Sequence, residues 1–141
     1  MIERHIMGIQ PIVPLNPEEM LKGLGTGYGL NGMWFKENGI VAREDNCQMM
    51  KDNQTFADRI FNRDKLIQKL LRSTKDYEIF GRSLQKYHGI IHNDIAEFCS
   101  SKNGSGPMAY SEMSARDPIF YRWHKYLEDI MRQHRDHWHD P

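Results

Sequence analysis

The sequence lacks a net charge, a cysteine framework and a long apolar run, and each absence narrows its function. Lys plus Arg number 19, as do Asp plus Glu, so the formal charge at neutral pH is zero. No bulk field draws the chain to nucleic acid or to an anionic membrane, and neither partner is expected. No apolar stretch approaches the roughly 18 residues of a membrane-spanning helix. The first residues carry Glu3, Arg4 and His5 with no long apolar centre, and as they stand they do not read as a secretory signal. The two cysteines, Cys47 and Cys99, are not spaced as zinc ligands and are expected to be free thiols. Blocks of like charge and internal repeats are also missing. The length, 141 residues, is one domain's worth or part of a larger one.

What is present divides near residue 54. Residues 1–54 are rich in chain breakers: Pro11, Pro14 and Pro17, then Gly23, Gly25, Gly27, Gly29, Gly32 and Gly39. They read as an irregular leader. Asn16 followed by Pro17 predicts the start of one short helix that Gly23 closes. Met33-Trp34-Phe35, Asn38-Gly39 and Ile40-Val41 predict a small hairpin, because Asn-Gly suits a tight turn.

Residues 55–141 are helical in pattern. Thr55 precedes an apolar stripe of Phe56, Ile60, Ile67, Leu70 and Leu71 that ends at Ser73-Thr74. A second helix is predicted over about Ser83 to Phe98, with Tyr87, Ile91, Ile95 and Phe98 on one face. Ser100 to Pro107 is a loop. Asp117-Pro118 opens a third helix, cap followed by proline, with Phe120, Trp123, Leu127 and Ile130 as its stripe. The fold class is mostly α, a partial helical bundle behind the leader. With part of a domain, Trp34, Phe35, Phe56 and Ile60 are expected to lack full cover, and self-association follows as an expectation.

Histidine is the residue type that carries chemistry. His88 and His92 lie four apart on the second helix, so both rings leave one face and can chelate one metal ion. His124 shares the inward face of the third helix with Phe120 and Leu127. Neighbouring helices that donate inward histidines are how bundles build metal sites. Imidazole suits copper, zinc, iron and nickel alike. The plain alternatives are histidines on a surface helix and a hydrogen-bonded core histidine. His134, His137 and His139 form a tail that reads as solvated, with an adventitious metal site as its functional alternative.

Arg116-Asp117-Pro118-Ile119-Phe120-Tyr121-Arg122-Trp123-His124 resembles the copper B signature of arthropod hemocyanins and prophenoloxidases. In that signature Asp-Pro-x-Phe opens a helix and a histidine seven residues after the Asp binds copper. The Asp usual four residues further is Glu128 here. His88-Gly89-Ile90-Ile91-His92-Asn93 resembles the family's Tyr-Gly-x-x-His-Asn, whose histidine is the first copper B ligand. More loosely, Asn31-Gly32 and Ala42 to Asn46 resemble the connection between the two copper sites, and Glu3-Arg4 the end of the last copper A helix.

The resemblance implies copper as cofactor, with His92 and His124 as its first and third ligands. The second falls on Ala96, and His88 stands where the family has an aromatic residue. His88 can serve as the remaining ligand only if the metal moves about one turn, roughly 5 Å, along the helix. That shift is expected to strain the approach to His124, and a histidine restored at position 96 is expected to strengthen copper binding. Copper binding is expected to weaken below about pH 6.5, where free imidazole takes up a proton. No segment resembles the copper A helices. The resemblance further implies dioxygen or phenols as partners, a homo-oligomer as a compatible state, and an extracellular, hemolymph setting. It points to a fragmentary or degenerate member related to oxygen transport or phenol oxidation, inactive alone. A copper-free storage or pseudo-hemocyanin-like protein is the alternative, and a histidine-tail metal module a third.

Overall fold

The structure, a computed structural model, describes residues 11–45, 47–99 and 105–139. The resemblance at Glu3-Arg4 and the loop over Ser100 to Gly104 lie outside the described residues. Among those described, six α-helices and two single 3-10 turns form, with no strand. The helices are α1 (Pro17–Leu21), α2 (Asn31–Glu37), α3 (Met49–Asp52), α4 (Gln54–Ser73), α5 (Tyr77–Phe98) and α6 (Pro118–His139). The turns, Pro107–Ala109 and Ser114–Arg116, lie between α5 and α6.

The three long helices begin at side-chain caps. Asn53 caps α4 by accepting from the amides of Thr55 and Phe56, so this helix starts just before the Thr55 expected from sequence. Asp76 accepts from the Ile79 amide and starts α5 at Tyr77, a turn and a half before Ser83. Asp117 accepts from the Ile119 amide ahead of Pro118, as Asp-Pro predicts. Asn16 likewise caps α1 through Glu19.

Side-chain pairs fix the helix directions. Arg59 of α4 meets Asp94 of α5, and Asp64 of α4 meets Tyr87, so α4 and α5 run antiparallel. Phe80 near the start of α5 stacks on His134 near the end of α6, whereas His92 meets Phe120 at the other end. α5 and α6 are therefore antiparallel too. Ile60, Ile67, Phe80, Ile91, Ile95, Trp123 and Ile130 belong to one core between these helices.

Three sequence expectations need correction. The Met33 to Val41 stretch forms helix α2, not a hairpin. Gly39, at φ 73°, turns the chain after the helix, and Ile40 donates back to the Phe35 carbonyl. Phe35 and Ile60 are fully covered, whereas Trp34 and Phe56 are partly covered. Phe35 packs in a small satellite cluster with Tyr28 and Ile40, and Leu15, Met20 and Met49 carry the leader into the main core. Cys47 and Cys99 are not free thiols. They form a disulfide that ties the leader to the end of α5. Their distance in sequence concealed a pairing that the folding of the leader across α5 creates.

The leader is also anchored by charge. The Arg43 guanidinium donates twice to the Asp117 carboxylate, at 2.9 and 2.7 Å, and both groups are buried. It donates as well to the carbonyls of Gly25 and Thr26, and the Tyr28 hydroxyl donates to Asp117 at 3.4 Å. Removing one partner of a buried pair leaves an uncompensated charge, which costs about 3–5 kcal/mol. Arg43→Ala is expected to lower unfolding stability by that amount in a denaturant titration. A loss below about 1 kcal/mol, the worth of an exposed pair, would contradict the pair's anchoring role.

Candidate metal centre

His88 and His92 project from one face of α5 because they are four residues apart on a continuous helix. His124 reaches the same point from α6, about two turns after the Asp117 cap. The Nε2 of His124 lies 3.1 Å from that of His88 and 3.3 Å from that of His92. Ligand atoms of all three lie within 4.8 Å of one another, and among the described residues these side chains are the group able to hold a metal ion.

The proton positions follow from the partners. His92 Nδ1 faces the Met108 carbonyl at 2.9 Å, and a carbonyl only accepts, so the proton sits on Nδ1 and Nε2 is bare. His88 Nδ1 faces the side-chain oxygen of Gln85 at 3.2 Å; with the amide in that orientation Nδ1 is the donor, and Nε2 would be bare. Without metal, one hydrogen on Nε2 of His124 can be shared by both; that hydrogen must move to Nδ1 before His124 Nε2 can bind a metal. The Phe120 ring stacks on His124, centroids 3.9 Å apart, and holds it against rotation.

Burial keeps the cluster neutral. Desolvation, with the neighbouring His92 and His124 rings, pushes the His88 pKa down to about 4. Desolvation lowers His92 too, opposed by its bond to Met108 and by the Asp117 charge. Desolvation and then His92 lower His124. The imidazoles are thus unprotonated below the ordinary range, so the onset of proton competition with a metal moves below the pH of about 6.5 expected from free imidazole. Space opens on both sides. A groove of about 870 Å³ runs between α5 and α6 past Leu84, Gln85, Leu127 and Met131 to His88 and His124. A recess of about 400 Å³, lined by Gly89, Asn93, Met108, Ser111 and Phe120, reaches all three histidines.

All three histidines singled out in the sequence therefore come together. His88 Nε2 lies as near to His124 Nε2 as His92 Nε2 does, at 3.1 against 3.3 Å. Ala96 is buried at 3% exposure, with the Gly106 amide bonded to its carbonyl at 2.9 Å. A Cβ on Gly106 would come within 3.4 Å of that carbonyl, so the chain crosses tightly over this turn of α5. The tail is not wholly solvated. His134 is fully buried, donates to the Thr74 carbonyl at 2.7 Å and stacks on Phe80. Trp138 donates to the Leu71 carbonyl at 2.8 Å, so the tail closes the end of α4, while His137 and His139 stay exposed. Gln85 and the Met108 carbonyl were not found from sequence. Gln85 lies three residues before His88, a spacing that brings side chains together on a helix, whereas nothing in the sequence marks a main-chain acceptor.

Two outcomes follow. The folded cluster resists protonation that the unfolded chain accepts. The unfolded chain thus binds more protons once pH falls below 6.5, and the metal-free fold loses stability from there down towards about 4. Unfolding midpoints measured across that range should fall with acid, and His88→Ala should flatten the slope. An unchanged slope would contradict the assignment. Ala96→His, introducing a large side chain into a buried site, should cost about 1–3 kcal/mol and leave metal affinity no tighter. This reverses the expectation from sequence, and tighter binding by a stable Ala96→His chain would restore it.

Known proteins are similar to this chain along most of its length. The family model of the common central domain of tyrosinase matches residues 16–137. Hemocyanin B chain of Aphonopelma sp. is 25% identical over 162 aligned residues, covering 94% of this chain and 26% of that protein. Pseudohemocyanin-2 of Homarus americanus is 47% identical over 61 residues, 37% of this chain and 9% of its own length. Hemocyanin B chain of Astacus leptodactylus is 36% identical over 58 residues, 36% of this chain and 10% of its own. The chain spans about a quarter or less of the curated relatives named here. No solved structure gives a significant match. With nearly the whole chain matched by the family model, the protein belongs to the tyrosinase central-domain family and is of its arthropod hemocyanin and phenoloxidase type.

Proposed function

We propose that this chain is a copper B-type piece of a hemocyanin- or phenoloxidase-like protein that holds one copper ion through Nε2 of His88, His92 and His124. The single observation that carries the reading is the convergence of the three ligand atoms within 4.8 Å. The donor set fits the metal. Neutral imidazoles suit copper, and intrinsic affinity at nitrogen sites favours it over zinc. Bound copper would supply one-electron redox chemistry and an open position for a small ligand. The chain's own contribution is to keep His88 and His92 unprotonated at Nε2, to brace His124 with Phe120, and to leave the site open on two sides.

Oxygen carriage and phenol oxidation in this family require a pair of coppers. One three-histidine group occurs among the described residues, so this chain alone is proposed to be neither carrier nor oxidase. Dioxygen or a phenol would be the partner of a larger assembly, either a longer chain or a homo-oligomer. The Cys47–Cys99 disulfide supports an oxidising, extracellular setting. A second reading, a copper-free protein of the pseudohemocyanin kind, is favoured by Ala96 in the usual ligand position and by the 47% identity to the Homarus americanus protein over 61 residues.

Copper titration by calorimetry decides between them. The exposed His137 and His139 should first be replaced by alanine, which removes adventitious donors. The resulting chain should bind one copper per molecule. His88→Ala, His92→Ala and His124→Ala should each weaken binding about tenfold or more, at least the loss that follows removal of an outer-sphere support. Catechol oxidation should stay at background. Absence of binding would establish the copper-free reading, and catechol turnover would contradict the single-site account.

A further inference from the structure

We infer that Gln85 is a positioning residue of this centre, holding the proton of His88 on Nδ1 so that Nε2 faces the other two imidazoles bare. The inference rests on the copper reading above and adds a support that belongs to this chain's own arrangement. His88 stands where the family motif has an aromatic residue, so the motif supplies no partner for its ring.

His92 and His88 solve one problem differently. Each must carry its single proton on Nδ1 if Nε2 is to be a ligand. For His92 the acceptor is main chain, the Met108 carbonyl in the 3-10 turn beyond the loop. For His88 it is a side chain one turn earlier on the same helix, Gln85 Oε1 at 3.2 Å. Glu78 and Glu128 also line the groove, but the acceptor in contact with His88 Nδ1 is Gln85. With Gln85 in place, the bare Nε2 of His88 points at His124 Nε2, 3.1 Å away. Without it, the proton is free to move to Nε2, where it blocks the ligand position. Outer-sphere partners of this kind fix the tautomer and orientation of ligand histidines, and their loss typically weakens metal binding about 10–100-fold. Gln85 is exposed, so replacing it does not disturb the core.

The test uses the full chain and two readouts. Nitrogen-15 NMR of the histidine rings without metal reports the tautomer, and titration with copper(II) reports affinity. In the unmodified chain His88 should carry its proton on Nδ1. Gln85→Leu should move it to Nε2 and weaken copper(II) binding about 10–100-fold. Gln85→Glu, which keeps an acceptor, should restore both. If His88 already carries its proton on Nε2, or if Gln85→Leu binds copper(II) as tightly as the parent, the inference is overturned. If the unmodified chain takes up no copper(II) while Gln85→Leu still changes the tautomer, the copper reading fails and the positioning of His88 by Gln85 stands.

Discussion

The buried pair between Arg43 and Asp117 is the constraint on which the rest of the structure depends. Asp117 does two things with one carboxylate. It caps α6 through the Ile119 amide, and it receives both Arg43 bonds. Arg43 in turn gathers the carbonyls of Gly25 and Thr26, so a glycine-rich segment with little structure of its own is wrapped around a charge. The cap sets where α6 begins, and where α6 begins sets the depth at which His124 meets α5. The same carboxylate also acts on His92, opposing the effect of burial. Charge, cap and ligand are thereby linked over a few residues.

The second determinant is how the chain crosses the end of α5. After the helix, the Cys99 carbonyl accepts from the Glu44 amide and Cys99 is bonded to Cys47. The chain then returns with Gly106 bonded to the Ala96 carbonyl and presents the Met108 carbonyl to His92. That crossing covers position 96 and supports position 92 together. A small residue at 96 is therefore part of the packing. With 96 under cover, the free histidine on the same face is His88, one turn towards the start of the helix. In the proposed site the histidine trio therefore lies towards the start of α5, where the groove between α5 and α6 is open.

Much of this was legible in the sequence where a local rule governs. Asn16-Pro17 and Asp117-Pro118 announced their helices, because a cap followed by proline is a short-range arrangement. The histidine trio was legible because helical spacing fixes direction once the helix is correct. What was hidden depended on distant partners. The start of α5 at Tyr77 was missed, since Tyr77 and Ile79 are exposed and add nothing to an apolar stripe. The hairpin at Met33 to Val41 failed because Asn-Gly suits a hairpin turn and also a helix end, and the packing of Phe35 with Tyr28 chose the latter. The disulfide, the burial of His134 and the covering of Ala96 are products of tertiary folding.

The central claim is that one metal site exists and that His88, His92 and His124 form it. A crystal structure of the chain loaded with copper(II), with anomalous scattering measured at the copper edge, tests it most directly. The account predicts a single strong peak bonded to the Nε2 atoms of these three histidines, with Ala96 still beneath the Gly106 turn. A peak confined to His137 and His139, or no copper between α5 and α6, would contradict it.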